Sequence, residues 1–222
     1  MTALARSLGD RLRRVPRIVK RAPGRPAAVA LTFDDGPSPW TPHIAAALER
    51  YGCRGTFFLL GEAVQREPEA VAALRRAGHE LGNHLWSHAD PARQSHAQLR
   101  AEIERTAAAI GAAAGAAPPD LVRPPYCSAP HAVARAAGRH GARLVVLRSV
   151  DPADWSTDQS GEIVERVLAK VGPGDIVCLH DGISPNNTGT DSRGATAAAV
   201  AHLVPALLER HLRPVTVTEL LA

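Results

Sequence analysis

From Ala28 onward the chain alternates short apolar runs with longer stretches of helical periodicity, and polar clusters stand immediately after the apolar runs. That alternation is the signature of repeated β/α units, in which each strand is buried on both faces and helices form the connections. The runs Val29–Phe33, Gly55–Leu60, Leu144–Leu147, Asp175–Leu179 and Pro214–Val217 are predicted strands. The intervening segments Pro42–Tyr51, Pro68–Ala77, Gly161–Val171 and Ala195–Arg210 are predicted helices. The clearest helix is Ser95–Ile110, where Leu99, Ile103, Ala107 and Ile110 share one face. In parallel β/α architectures the loops at the C-terminal ends of the strands carry the chemistry.

The polar clusters supply the candidates. Thr32-Phe33-Asp34-Asp35-Gly36-Pro37 places two adjacent carboxylates at a strand end. Such a pair is costly unless a cation or a shared proton relieves it, which suggests a metal ligand beside a general base. Asp-Gly-Pro is also an ordinary turn. His84 and His88 are spaced i, i+4, which in a helical turn would aim both imidazoles at one ion. Two histidines and a carboxylate leave open positions for water, as catalytic zinc sites do. Arg123-Pro124-Pro125-Tyr126-Cys127, Asp151-Pro152-Ala153-Asp154-Trp155 and Leu179-His180 complete the set. Singly, these three read as a stiffened loop, an Asp-capped turn and a core histidine.

Taken together and in this order, the five clusters resemble the motifs of the polysaccharide deacetylases, carbohydrate esterases that share the chitooligosaccharide deacetylase (NodB-homology) domain. The resemblance runs from about Ala28 to Leu221. It implies an α/β fold, a distorted (β/α) barrel of about seven parallel strands, and hydrolysis of the acetamide of an N-acetylated amino sugar. It further implies one divalent metal on Asp35, His84 and His88, most commonly zinc, with cobalt and nickel compatible with the same ligands. Asp34 would be the general base, held ionised by Arg123. The backbone N–H of Tyr126 would stabilise the oxyanion, and His180, oriented by Asp154, would protonate the leaving amine. Pro125, Tyr126, Trp155 and Leu179 would shape the substrate pocket. Two positions depart from the family pattern. Leu85 replaces the usual Ser or Thr, with an expected loss of metal affinity. Cys127 replaces a glycine and would place a thiol beside the pocket.

The same resemblance leaves two other readings: hydrolysis of a non-sugar linear or cyclic amide on this fold, and a silent carbohydrate-binding protein. The retained sugar-deacetylase residues disfavour the first, and intact Asp34 and His180 disfavour the second. The remaining histidines are assigned no role, and the polar segment 181–193 is either a substrate-recognition loop or a surface turn.

Charge divides the chain unevenly. The formal net charge is +4, but residues 1–26 hold eight basic side chains against Asp10 alone, leaving the remainder at −3. An acidic body with few aromatics excludes a nucleic-acid groove. Residues 1–26 are therefore expected to form a basic arm and linker, and 27–222 the catalytic domain. Leu4, Leu8, Leu12, Val15 and Val19 predict an amphipathic helix over residues 2–20, packed on the body or lying on anionic lipid. Three scattered cysteines without a CxxC pair are expected to be reduced thiols, and no apolar run reaches the ~18 residues of a membrane span or resembles a secretion signal. A cytoplasmic protein, with peripheral contact at the inner membrane face, is the resulting expectation. No obligate protein partner is inferred.

Overall fold

The computed structural model describes residues 15–24 and 27–222. It contains strands β1 (Arg17–Val19), β2 (Ala28–Asp34), β3 (Thr56–Leu59), β4 (Glu80–Asn83), β5 (Leu121–Val122), β6 (Leu144–Val146), β7 (Ile176–His180) and β8 (Arg213–Val215). The connecting helices are α1 (Thr41–Glu49), α2 (Gly61–Arg66), α3 (Pro68–Arg76), α4 (His96–Ala114), α5 (Pro130–Ala137), α6 (Ser160–Leu168), α7 (Gly194–Glu209) and α8 (Val217–Leu221). Seven strands follow the order β1-β6-β5-β4-β3-β2-β7, and β8 pairs with the start of β2; every pairing is parallel. The sheet curls into a half-barrel whose edges are joined by the bridges Val150–Val177 and Arg21–Asp175. The expected distorted α/β barrel of parallel strands is therefore observed, and it is incompletely closed.

Strand parity decides what enters the barrel, because successive side chains point to opposite faces. On β2, Val29, Leu31 and Phe33 pack outward with Ile44, Leu48 and the apolar face of α7. Ala30 points inward, where it packs with Phe58, Val146 and Ile176, and Val217 and Leu220 of α8 plug that end. The inward row of β2 continues through Thr32 to Asp34, and that of β7 through Cys178 to His180. Polar groups thus gather at the C-terminal mouth above an apolar floor.

Local signals set the element ends. Ser95 caps α4 through a reciprocal capping box with Gln98, and Gly115 ends it in the left-handed conformation at φ 59°. The C-terminal strand is shorter than predicted because Thr216 and Glu219 form another capping box, which turns Val217 into the first residue of α8.

The predicted N-terminal helix requires correction. Its first part lies outside the described residues. Arg17–Val19 is strand β1, parallel to β6, not helix. Pro16 cannot continue a helix hydrogen-bond ladder, and β-branched Ile18 and Val19 suit a sheet edge. Val19 and Ala22 are buried in the barrel interior, and Arg21 pairs with Asp175 at 3.1 Å. The sheet therefore begins at Arg17, inside the segment that the charge pattern had assigned to the arm. Among the described residues no helix is long and apolar enough to cross a membrane.

Candidate metal centre and active site

The C-terminal mouth of the barrel holds a cavity of about 310 Å³ whose wall includes Asp34, Asp35, His84, His88, Tyr126 and His180. Asp35, one residue past β2, has φ 73°, and His88 has φ 59°. Non-glycine residues rarely occupy this left-handed region, and backbone strain of this kind concentrates at functional sites. The imidazoles do not share a helical turn as expected. His84 and His88 lie in the irregular loop after β4, in which Leu85 also has φ 66°. The left-handed turns at Leu85 and His88, not helical periodicity, bring the two rings to 5.3 Å centroid separation.

His84 Nδ1 lies 2.8 Å from the carbonyl oxygen of Arg123, which only an N–H can satisfy. Nδ1 therefore carries a proton, and Nε2 faces the cavity. Nε2 sits 3.5 Å from Asp35 Oδ1, and His88 Nε2 sits 3.4 Å from the same oxygen. Burial, outweighing the nearby carboxylates, holds His88 down to about 4, so it is neutral. Asp35 Oδ1 is buried and has no hydrogen-bond partner among the described residues. Two imidazole Nε2 atoms converging on a buried carboxylate oxygen that no donor satisfies make a ligand set suited to a divalent cation. A second cluster, Asp34, Cys178 and His180, is also close enough to hold an ion. It fits less well, because burial and the neighbouring Asp34 raise the Cys178 thiol well above its usual value, leaving it protonated. Asp34 and His180 are committed elsewhere.

Asp34 accepts from Arg123 Nη1 at 2.7 Å, and Arg123 is itself buried, donating also to Thr32 Oγ1 at 2.7 Å and to the carbonyls of Val146 and Leu147. Burial pushes the Asp34 carboxyl up, but Arg123, His84 and His180 together outweigh it and hold it at about 2. It is an ionised acceptor at all ordinary pH. Gly82 leaves room for the Phe58 ring, on which the Arg123 guanidinium rests at 4.2 Å.

On the adjacent strand β7, in register with Asp34, His180 has its Nδ1 2.7 Å from Asp154 Oδ1. Burial lowers the His180 pKa, yet the charge and hydrogen bond of Asp154, followed by Asp35 and Asp34, raise it to about 9. Asp154 also accepts from the His180 backbone N–H at 2.9 Å and from Thr196 Oγ1 at 2.8 Å. Tyr126 has φ 58°, half-exposes its ring, packs that ring edge-on against His88 at 4.8 Å, and its N–H donates to nothing among the described residues. An unspent N–H at the cavity wall fits an oxyanion donor.

Most of the expected site residues are therefore brought together, and two are not. Leu179 is fully buried in the outer core, because parity with inward His180 turns it away from the cavity. Cys178 takes its place, its Sγ 3.3 Å from Asp34 Oδ2. Pro125 is buried, and Pro124 contributes to the wall instead. Trp155 lines the cavity as expected. The i, i+2 relation of Cys178 to His180 on a strand was the signal for the first correction.

The supporting groups had no such signal. Glu102 of α4 accepts from the N–H groups of Trp86 and Ser87 and from the Ser87 hydroxyl, and Asn83 bridges Leu85 N–H to the carbonyl of Ile103. The metal loop is thus tied without a hydroxyl at position 85, and Leu85 packs among Leu99, Ile103 and Val133.

The polysaccharide deacetylase model matches residues 21–145, more than half of the chain. The chain belongs to the polysaccharide deacetylase family. It is similar to the chitooligosaccharide deacetylase of Bradyrhizobium sp. (strain ANU 289), 37% identical over 188 residues, which are 82% of this chain and 85% of that one. It is also similar to the peptidoglycan-N-acetylglucosamine deacetylase of Bacillus cereus (strain ATCC 14579), 36% identical over 201 residues and 90% of each chain. Among solved structures, a peptidoglycan N-acetylglucosamine deacetylase bound to an N-oxidanyl-benzamide superposes with a TM-score of 0.82 at 31% identity, covering 91% of this chain and 92% of that one. A wild-type carbohydrate esterase family 4 pseudoenzyme from Bacillus anthracis superposes with a TM-score of 0.83 at 24% identity, covering 93% and 69%. The candidate metal-ligand cluster Asp35, His84 and His88, together with the similarity to these deacetylases, supports a hydrolase.

Proposed function

We propose that the protein removes the acetyl group from N-acetylglucosamine-type sugars, releasing acetate and a free amine. The observation that carries this reading is the convergence, in one cavity, of three metal-ligand atoms from Asp35, His84 and His88 with an Arg123-paired Asp34 and an Asp154-paired His180. A divalent cation held by those three residues, zinc being the best match to a His₂Asp set, supplies Lewis-acid chemistry to the acetamide carbonyl and to a water. Asp34, kept anionic by Arg123, accepts the proton of the attacking water. The Tyr126 N–H donates to the oxygen on which negative charge develops. His180, cationic through Asp154, gives its proton to the departing nitrogen, without which an amine is a poor leaving group. Cys178 and Trp155 form the wall around the acyl group.

A cytoplasmic place of action is supported by three free cysteines, and contact with an anionic lipid surface by the basic character of residues 1–26. Sedimentation with anionic and neutral vesicles tests the latter. Acetate release from chitooligosaccharides and peptidoglycan fragments, measured with zinc-loaded and chelator-treated protein, tests the reaction. Release that requires metal and disappears in His84→Ala and Asp34→Asn is expected; none from any acetylated sugar by the metal-loaded protein would overturn the reading.

A further inference from the structure

Three arginines reach the active-site region, and two of them have spent their donors on the protein. Arg123 is buried against Asp34, Thr32 and two carbonyls. Arg193 donates from Nε to the Gly182 carbonyl, from Nη1 to Thr190 and Ser192, and from Nη2 to Asn187, stapling the loop after His180. Arg148 differs. It follows β6, lines the catalytic cavity, and its side chain keeps 31% exposure against 1% for Arg123.

Two contacts fix the Arg148 guanidinium. Nε lies 2.7 Å from Asp151 Oδ2, and Nη1 donates to Cys127 Sγ at 2.8 Å. Asp151 is itself anchored through Oδ1 by the Ala153 N–H at 2.8 Å, and Cys127 is held with φ 53° next to Tyr126. Nη2 has no hydrogen-bond partner among the described residues. The result is a planar cation, held from two sides, with one unpartnered nitrogen, Nη2, on a side chain that lines the cavity containing Asp34 and His180. A neutral sugar can offer that nitrogen only a hydroxyl, whereas an oxygen of a carboxylate or phosphate makes a charge-assisted hydrogen bond with it.

We infer that Arg148 is a specificity-determining residue that receives an anionic group, a carboxylate or phosphate ester, carried by the acetylated sugar. This deepens the deacetylase reading and rests on it. Cys127 then has a task as well: its sulfur fixes the orientation of Arg148 from the loop that carries the oxyanion donor.

The test compares kcat and KM for N,N′-diacetylchitobiose, an N-acetylmuramic-acid-containing disaccharide and N-acetylglucosamine 1-phosphate, with the zinc-loaded wild type, Arg148→Met and Arg148→Lys. Calorimetric binding of the same three sugars to zinc-loaded Asp34→Asn, with and without Arg148→Met, gives a readout independent of turnover, and melting curves establish that the variants fold. In the wild type at least one anionic sugar is expected to exceed the neutral one by about tenfold or more in kcat/KM, through KM and with a decline as salt rises. The carboxylate and phosphate arms identify which group is read. Arg148→Met removes that ratio and Arg148→Lys retains part of it. A ratio unchanged by Arg148→Met, or a wild-type preference for the neutral sugar, would overturn the inference. If no sugar releases acetate, the deacetylase reading fails, and the calorimetric ranking alone decides whether Arg148 selects anions.

Discussion

Replacing Asp154 by Asn removes one charge and little volume, and its consequence can be worked from the geometry. Asp154 is buried, and its own carboxyl is held below the usual range because His180, through charge and hydrogen bonds, outweighs burial. In return it supplies the largest upward influence on His180, which stands at about 9 against an ordinary 6.5. With Asn the largest upward influence is gone and only Asp35 and Asp34 still oppose burial, so His180 falls toward its ordinary 6.5. At pH 8 a group with pKa 9 is roughly 90% protonated and one at 6.5 roughly 3%, so the supply of catalytic acid drops by up to about 30-fold, whereas at pH 6 it changes by less than about twofold. The alkaline limb of kcat/KM against pH should therefore move down, by as much as about two pH units, with activity near pH 6 retained.

A divalent cation on Asp35 cancels part of that carboxylate's pull on His180, so the holoenzyme limb lies somewhat below 9, while the displacement caused by the substitution remains. The stability effect has a matching sign. His180 has a folded pKa above its unfolded value, so the ion pair contributes fully below about 6.5 and its contribution is lost as pH rises through about 9. A pH series of acetate-release rates, with Thr196→Val as the control that removes one hydrogen bond but no charge, checks the argument. An alkaline limb unmoved in Asp154→Asn, with the whole profile merely scaled down, would show that His180 is not the proton donor.

Other outcomes follow from single contacts. Asp34→Asn keeps the Arg123 hydrogen bond but cannot accept a proton, so kcat should fall on the order of 10²–10⁴-fold while zinc content, read by atomic absorption, stays near one per chain. Arg123→Met leaves Asp34 buried without its partner and should cost about 3–5 kcal/mol by denaturant titration, beyond any loss of activity. Leu85→Ser, which restores a hydroxyl at a position where Asn83 and Glu102 already tie the loop, should lower stability by about 2–5 kcal/mol without a tenfold gain in zinc affinity by competition with a chelating dye. Glu102→Ala should do the reverse, weakening zinc binding about 10- to 100-fold at modest cost in stability.

Much of this site was legible because its residues are contiguous with strands. Asp34 and Asp35 end β2 and His180 ends β7, and a parallel β/α pattern already directs such positions to one mouth. What escaped was anything that depends on which way a side chain turns or on a distant helix. Leu179 was read as a pocket residue by adjacency to His180, although period-two alternation makes Cys178 the inward neighbour. The His84–His88 spacing suggested a helical turn, but left-handed residues at 85 and 88 converge the rings by another route, and no propensity scale anticipates strained backbone at Leu or His. Glu102 and Thr196 act from helices whose sequence shows only amphipathic periodicity; their role exists once α4 and α7 are docked.

The N-terminal segment illustrates the opposite error. Its charge density and apolar spacing predicted an amphipathic basic helix, yet Ile18 and Val19 follow a proline and meet an unpaired edge at β6, so tertiary pairing overrides a periodicity that spans only a few turns. That edge placement has a consequence for the site. β1 hydrogen-bonds to β6, and Leu147 N–H, just past β6, donates to Val19 O at 2.7 Å. The next residue is Arg148. The strand that composition assigned to an arm therefore anchors the stem from which the Arg148 guanidinium is presented, and deleting residues 1–21 should disturb the active site as well as any surface contact made by the basic segment.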